Sequence, residues 1–238
     1  MDIIKKLSDE FPAIRAEHMQ NIVSLIDEGN TIPFIARYRK EMTGSCDDQV
    51  LRELDERLQY LRNLEKRKEE VCKSISEQGK MTEELQRAID AAATLTEVED
   101  LYRPYKQKKK TRASVAIERG LQPLADYILS QDPNGDVLTE AEKYVDADKG
   151  VPDIAAAIAG AKDIIAEIVS DDANVRKKLR NLFLKNGEIE TKLVNAEQDG
   201  AKTYEMYADH AENVAEIKGH RVLAINRGEK EGFLKVKI

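Results

Sequence analysis

Apolar residues recur at three- and four-residue steps along most of the chain, a period that predicts a protein built mainly from α-helices. The pattern is clearest from Asp47 to Gln78, where no proline or glycine interrupts it. This segment predicts one helix of roughly 45 Å, at about 1.5 Å per residue, and therefore a strut joining separate parts of the protein. A helix kinked in the charge-dense stretch 64–70 is the alternative. The apolar positions of the predicted helix are Val50, Leu54, Leu58, Leu61, Leu64, Val71, Cys72 and Ile75.

Shorter helices and a tight break precede this segment. A first short helix ends at the first proline of the chain, and a second is expected from about 13 to 28, where Gly29 follows as a stop signal. Thr31 is a candidate N-cap, and Pro33 lies in the first turn of a further helix that includes 34–41. We therefore predict a helix-turn-helix element. Such pairs occur in nucleic-acid-binding proteins and also in many helical proteins without that role.

Short capped helices are predicted beyond the long one. Thr94 with Glu97, and Thr139 with Glu142, have the spacing of capping boxes. The helix that starts near Thr94 should stop before Pro104, because the residue preceding a proline resists the helical region. The segment after this helix would therefore start on a loop.

Two amphipathic helices and some β structure are predicted in the second half. Pro152 opens the first of these helices, and Asp171 or Asp172 can cap the second. Residues 188–194 alternate like a strand, and 222–238 form either a hairpin or a helix followed by a strand. The alternating end of the chain would need a partner for its apolar face, which indicates a fragment of a longer protein. The predicted apolar stripes are Ile154, Ile158, Ala161, Ile165 and Ile168 on the first helix, and Val175, Leu179, Leu182 and Phe183 on the second.

The predicted fold class is mainly α, a multi-helical scaffold with a helix-turn-helix element, one long helix and minor β structure near the C-terminus. The length of 238 residues exceeds a typical single domain of about 100 to 200 residues. We therefore expect a helical region with the helix-turn-helix and the strut at 1–112, and a second helical region with short β segments at 113–238. No apolar run approaches the roughly 18 residues that a membrane span needs, and the opening residues lack a signal peptide. We expect a cytoplasmic protein without membrane contact.

Charge changes the picture through its distribution. The formal net charge is −7, which argues against binding a polyanion through the whole surface. Residues 1–112 carry 21 basic and 22 acidic side chains, and residues 113–238 carry 17 and 23. The ten residues 103–112 contain no acidic residue. The cations of this basic segment are Arg103, Lys106, Lys108, Lys109, Lys110 and Arg112.

The basic segment is the first candidate for contact with nucleic-acid phosphates, which lysine and arginine neutralise with release of counterions. Tyr102 and Tyr105 would add stacking faces for bases. The alternative is a solvated loop with packed tyrosines. Secondary candidates are Arg37, Arg39 and Lys40, for which the alternative is salt bridging to Glu41 or to acidic residues of the long helix.

Catalytic and metal-binding motifs are missing from the pattern. His18, His210 and His220 lie on different predicted elements, and none pairs with a nucleophile or a metal-ligand motif. The paired carboxylates have the positions of caps and surface charges, there is no phosphate-binding loop, and the two cysteines are far apart. We expect no enzyme activity, no cofactor and no metal site.

Three separated sequence blocks, residues 29–44, 100–125 and 220–231, together resemble the amino-terminal region of the Tex family of bacterial transcription accessory proteins. The family is related to a eukaryotic transcription elongation factor, and its members continue into an RNase H-like domain, helix-hairpin-helix elements and an S1 RNA-binding domain. The resemblance implies a helical scaffold that works in transcription and binds RNA or DNA.

Two functions follow from these observations. The first is a nucleic-acid-binding module that uses the basic segment, with binding that weakens as salt rises. The second is a protein-interaction scaffold that contacts RNA polymerase or orders further domains, which the net acidity and the long helix favour. A remoter hypothesis is a nuclease subunit whose chemistry lies in the RNase H-like part of the family.

Overall fold

The computed structural model describes residues 2–107 and 109–238. The chain folds as two compact units, a first unit at 1–107 and a second unit at 108–238. The division lies five residues before the predicted boundary at 112. That the two units behave as independent domains stays a prediction.

The first unit is helical in all its regular elements. Its helices are α1 (Ile3–Glu10), α2 (Ala16–Asp27), α3 (Ile32–Tyr38), α4 (Lys40–Thr43), α5 (Asp48–Glu77), α6 (Glu83–Ala91) and α7 (Leu95–Tyr102), and a 3₁₀ turn at Arg103–Tyr105 follows.

The second unit combines helices with a small sheet. Its elements are α8 (Arg112–Glu118), α9 (Gln122–Ser130), α10 (Val137–Glu142), α11 (Ile154–Asp171), α12 (Ala173–Asn186), β1 (Glu188–Leu193), a 3₁₀ helix at Ala201–Tyr207, β2 (Asp209–Asn213), α13 (Gly219–Lys230) and β3 (Leu234–Lys237). The sheet has the order β2-β1-β3 and both pairings are antiparallel, so that Thr191 lies opposite His210 on one side and Val236 on the other. The prediction of a mainly α protein with one long helix and minor β structure is confirmed.

The long helix α5 runs for 30 residues without a break. Asp47 caps its first turn by accepting the Val50 N–H at 2.8 Å, and Gly79 follows its end with φ +67°. One face of the helix is buried along its whole length. The half near its start packs on α1, α2 and α3, and the half near its end packs on α6 and α7. The strut therefore joins two hydrophobic clusters inside the first unit. Its buried positions are Leu51, Leu54, Leu58, Leu61, Leu64, Lys68, Val71 and Ile75.

Several predicted boundaries move in the structure. Helix α2 begins at Ala16 rather than at 13, because Ile14 is buried in the turn that follows the first proline. The predicted helix after Thr31 is broken at Arg39, whose φ and ψ are −127° and 27°, so that it becomes α3 and α4. Thr31 lies at the N-cap position, although its side chain accepts no capping hydrogen bond. The geometry of α2, a turn and α3 is present, and a nucleic-acid-reading role for it stays a prediction.

Helix α7 ends before Pro104, as predicted. Two other local predictions are wrong, and the first is that the segment after this helix starts on a loop. Arg103 adopts helical angles, φ −53° and ψ −43°, although Pro104 follows it. The chain continues from α7 into a 3₁₀ turn, where the missing proline N–H falls in the first turn and is not needed. Thr139 does not form a capping box with Glu142. Instead Asp136 is the N-cap of α10 and accepts the Leu138 N–H at 2.9 Å.

The C-terminal alternative is decided in favour of a helix followed by a strand, α13 and then β3. Strand β2 was not predicted, since its sequence DHAEN lacks branched apolar residues. Thr191 of β1 is 1% exposed, and its hydroxyl donates to the Tyr207 carbonyl at 2.6 Å. This contact fixes the sheet against the 3₁₀ helix that precedes β2.

The predicted apolar stripe of α11 packs in the core except for Ile168, whereas most of the predicted stripe of α12 is exposed. On α11 the buried apolar side chains are Ala157, Ala161 and Ile164, because small residues allow close packing on α8 and α9. A Cβ at Gly160 would lie 2.3 Å from Leu121 Cδ1, which shows how closely the chain segments approach. The isoleucines of the predicted stripe lie beside this contact, and Ile168 is 45% exposed. On α12 no described residue is buried.

Candidate nucleic-acid interface

The secondary candidates form one corner of the first unit, where α3 ends and α4 begins. Arg37 and Tyr38 end α3, Arg39 is the break between the two helices, and Lys40 starts α4. All four side chains are exposed, and Tyr38 is 65% exposed. We call these four residues the α3–α4 corner.

Helix α2 holds the α3–α4 corner in place through the backbone of α4. The Met42 carbonyl oxygen lies 3.1 Å from His18 Nδ1, which must be the donor because a carbonyl only accepts, and it also accepts from Asn21 Nδ2 at 3.2 Å. Gly44 then ends α4 with φ +66°, and a Cβ there would meet the His18 ring at 2.7 Å. Only glycine satisfies both the angle and the close approach. His18 is therefore a structural residue in this fold.

The cations of the corner are not neutralised by neighbouring acids. Within residues 2–107 and 109–238, no ion pair shorter than 4.0 Å includes Arg37, Arg39 or Lys40. The Arg39 guanidinium lies 5.2 Å from the centre of the Phe34 ring, a cation–π contact that orients it without cancelling its charge. The salt-bridge alternative to Glu41 is thus not observed.

An open cavity of about 680 Å³ lies at this corner. Three cations and the exposed tyrosine border it, and Glu28 and Glu41 border it as well. Phosphates bind lysine and arginine side chains, and bases stack on exposed aromatic rings. The corner presents both chemistries on one surface.

The basic segment is divided between the two units. Arg103 and Lys106 belong to the first unit, and Lys109, Lys110 and Arg112 belong to the second. Lys108 lies outside the described residues. All five described cations are exposed.

Lys110 and Arg112 of the basic segment have acidic partners. Lys110 Nζ lies 3.5 Å from Glu118, and Arg112 Nε lies 3.5 Å from Asp163, with the two basic side chains 70% and 89% exposed. Exposed pairs of this kind contribute about 0–1 kcal/mol, so a phosphate can displace the carboxylates. The segment stays a prediction as a phosphate-binding site.

The tyrosines beside the basic segment are packed, as the alternative interpretation expected. Tyr102 donates to or accepts from the Ser74 hydroxyl at 3.0 Å, and the Arg67 guanidinium lies 5.4 Å from its ring centre. Tyr105 is half-buried in the same hydrophobic cluster. Neither ring offers the open face that Tyr38 has.

Sequence reasoning missed two features of the surface. Tyr38 went unremarked, although an aromatic residue between Arg37 and Arg39 is a signal for stacking beside phosphate contacts. The basic character of α12 was also missed, although its sequence holds five cations and no acidic residue. Among the described residues, no group of three or more histidine, cysteine, aspartate or glutamate side chains is placed to hold a metal ion. In the same part of the chain, no helix combines the length and apolar character that crossing a membrane requires.

Comparison with known proteins identifies the family. A family model described as Tex-like protein N-terminal domain matches residues 1–76, and a second, described as Tex central region-like, matches residues 132–238. The chain belongs to the Tex family. The α3–α4 corner lies inside the Tex-like N-terminal domain, whereas the basic segment falls between the two matched ranges.

Curated relatives agree with this assignment. The transcriptional accessory protein Tex of Neisseria gonorrhoeae is 44% identical over 100% of this chain and 31% of its own length. An uncharacterized protein of Bacillus subtilis is 48% identical over 93% of this chain and 31% of its own length. S1 RNA-binding domain-containing protein 1 of Homo sapiens is 33% identical over 92% of this chain and 22% of its own length. The Tex chain described here therefore spans less than a third of each of these relatives.

Proposed function

We propose that this chain is a nucleic-acid-binding scaffold of a transcription accessory protein and that it has no catalytic activity of its own. One observation carries the proposal: the α3–α4 corner presents three cations, which make no ion pair with any residue that the structure describes, around a tyrosine that is 65% exposed. The names of two relatives support it, since one is a transcriptional accessory protein and another contains an S1 RNA-binding domain.

The corner and the basic segment have different roles in this proposal. The corner combines charge with stacking, which favours single-stranded RNA or DNA, because unpaired bases leave their faces open. The basic segment contacts phosphates alone and adds affinity without base preference. RNA and DNA are both expected to bind, because phosphate contacts and base stacking are possible with either nucleic acid and do not depend on the 2′-hydroxyl.

Fluorescence anisotropy with single- and double-stranded RNA and DNA at two salt concentrations tests the proposal. The corner variant replaces Arg37, Arg39 and Lys40 by glutamate, and the segment variant replaces Lys108, Lys109 and Lys110. A matched control replaces three other lysines of the first unit by glutamate, so that the net charge changes equally. These are Lys66, Lys73 and Lys80, all exposed.

We expect wild-type binding that weakens with salt, a large loss in the corner variant and a smaller loss in the control. The salt dependence should also fall, because each lost phosphate contact lowers the slope of log K against log salt by roughly 0.7–0.9. Tyr38→Ser should weaken binding to single strands more than to duplexes, at about 1–3 kcal/mol per stacked base.

If the corner variant and the control lose equal affinity, the effect depends only on net charge, and this result would contradict a defined binding site. If the wild-type chain binds no probe at low salt, the nucleic-acid proposal fails for this region. The protein-interaction scaffold then takes its place, for which co-purification with RNA polymerase after nuclease treatment is the test.

A further inference from the structure

The surface of α11 and α12 exposes an unusual number of apolar side chains. Helix α12 has no buried residue among those described, although its sequence is amphipathic. Single exposed apolar residues are common on protein surfaces, but contiguous apolar patches mark binding sites. The exposed apolar residues of these two helices are Ile168 at 45%, Val169 at 46%, Leu179 at 45%, Leu182 at 53%, Phe183 at 46% and Leu184 at 55%.

Four of these side chains, Val169, Leu179, Phe183 and Leu184, line a groove and not a flat face. The groove has a volume of about 940 Å³ and lies between the C-terminal part of α11 and the whole of α12, with Val214 and Ile238 at its edge. Val175, Leu179 and Phe183 project into it at four-residue steps along α12. Ridges at this spacing are the surface into which a second helix packs.

Among the described residues, the charged side chains that line the groove all have one sign. Lys162, Arg176 and Arg180 are the charged side chains that line it, and no carboxylate side chain does. Helix α12 as a whole carries five cations and no acidic residue, although the segment 113–238 that contains it is acidic. The groove therefore combines an apolar floor with a basic rim inside an acidic region.

We propose that this groove binds an amphipathic α-helix of a protein partner, with an apolar stripe on one face and acidic residues beside the stripe. The stripe would fill the space between Val169, Leu179 and Phe183. The acidic residues would lie against the basic rim, which fixes the orientation of the helix and accelerates its association.

Other occupants fit less well. A second copy of this chain would bring two α12 helices with like charge together, which is unfavourable. Nucleic acid would meet the basic rim but would leave the apolar floor uncovered. A lipid surface favours a protruding amphipathic helix, whereas α12 forms one wall of a concave groove.

The test uses the 238-residue chain and a fluorescein-labelled synthetic peptide of about four to five helical turns, about 18 residues. The peptide carries leucines along one face and glutamates beside them. Two control peptides keep the composition in scrambled order or replace every glutamate by lysine. Binding is followed by fluorescence anisotropy, and circular dichroism checks that each protein variant is folded.

We expect the glutamate peptide to bind, and the scrambled and lysine peptides to bind at least about tenfold more weakly, a difference of about 1.4 kcal/mol. The double variant Leu179→Ser/Phe183→Ser should lose binding. The matched variant Leu138→Ser, at a leucine of α10 that is 61% exposed, should keep it. Lys162→Glu should weaken binding of the glutamate peptide and strengthen binding of the lysine peptide. A misfolded variant would not show this reversal of preference.

Three outcomes would overturn the proposal. One is equal binding of the ordered and scrambled glutamate peptides. Another is a wild-type dimer in sedimentation that Leu179→Ser/Phe183→Ser converts to a monomer, which would make a second copy the occupant. The third is binding to anionic lipid vesicles that the same double variant abolishes. The nucleic-acid proposal is tested separately, because the corner variant should bind the peptide as the wild type does.

Discussion

Helices α5 and α12 both carry apolar residues at helical spacing, yet their faces meet different surroundings. Helix α5 buries Leu51, Leu58 and Leu64 at 0–1% exposure, and neighbours in the first unit cover its face from end to end. Helix α12 leaves Leu179, Leu182 and its neighbours about half exposed. An apolar stripe therefore predicts that a face will make a contact, but it does not identify the molecule that supplies the other side.

The charges of the two helices differ in the same way. Helix α5 mixes acids and bases, and its arginines reach acids on other helices, as in the pairs Arg57–Glu10 and Arg62–Asp27. Helix α12 has cations only. The two helices therefore differ in charge composition, because α5 carries both signs of charge and α12 carries only one.

The largest expected effect is the difference in stability between two variants, each with one leucine replaced by alanine, one in α5 and one in α12. Leu61→Ala in α5 should lower the free energy of unfolding by about 2–5 kcal/mol, because the side chain is 1% exposed and its removal leaves a cavity. Leu182→Ala in α12 should change it by less than about 0.5 kcal/mol, since the leucine is 53% exposed. Urea denaturation followed by circular dichroism measures both. Similar losses of unfolding free energy in the two variants would contradict the difference in burial between α5 and α12.

A smaller effect is expected from one lysine in each helix. Lys68 of α5 is 5% exposed, and its ammonium group donates to the Asp90 carbonyl at 2.9 Å and pairs with Glu65 at 3.0 Å. Lys68→Ala should cost about 1–3 kcal/mol, because the part-buried hydrogen bond to the Asp90 carbonyl and the ion pair with Glu65 are lost. Lys178→Ala in α12 should be nearly neutral, since Lys178 is exposed.

Thermal unfolding in the same buffer compares the two lysine variants. Lys68→Met separates packing from charge, because methionine keeps much of the apolar stem. If Lys68→Met is as stable as the wild type, the lysine contributes through its stem and not through its hydrogen bond.

The smallest effect concerns the ion pair that ties α1 to α5. Arg57 donates to both carboxylate oxygens of Glu10, at 2.6 and 2.7 Å, and this hydrogen bonding holds the pKa of Glu10 below its ordinary value. A lowered folded-state pKa stabilises the protein above the unfolded pKa of about 4.3, and the contribution is lost as the pH falls through the folded-state pKa. Glu10→Gln should therefore cost about 0.5–1 kcal/mol at neutral pH and progressively less in acid.

Urea denaturation of wild type and Glu10→Gln, from neutral pH to below the folded-state pKa of Glu10, measures the difference in their free energies of unfolding. Asp9→Asn is the matched control, because Asp9 is the exposed neighbour of Glu10 and makes no ion pair within residues 2–107 and 109–238. A difference between wild type and Glu10→Gln that stays constant with pH would assign the effect to packing.

Local signals in the sequence were sufficient for much of the fold. The bounds of α5 followed from the proline- and glycine-free stripe, and Asp172 caps α12 by accepting the Val175 N–H at 2.7 Å, at one of the two predicted positions. Strand β2 escaped prediction because its ladder partner lies more than fifteen residues away, as in the pair Thr191 and His210. Pairing at that distance depends on loop closure and on the other strand, not on the residues of β2 alone.

The candidate interface was also predictable from the sequence only in part. The sequence identified Arg37, Arg39 and Lys40 by residue type, but both a salt-bridged and an unpaired arrangement were consistent with it. The break at Arg39 and the hydrogen bond from His18 to the Met42 carbonyl position these cations around a cavity that Glu28 and Glu41 also border, with no ion pair among the described residues. The sequence also offered Tyr102 for stacking, whereas the tertiary fold packs Tyr102 and exposes Tyr38.

The sequence by itself determined which segments are helical and the ends of some helices, such as α5, since caps and stripes act between residues three or four positions apart. It also determined the family, through blocks of residues that need no structure to be compared. Only the tertiary structure decided which stripe is covered, which cation is paired and which aromatic ring is open. Burial and ion pairing depend on residues distant in the chain, and the position of those residues is set by the packing of whole elements.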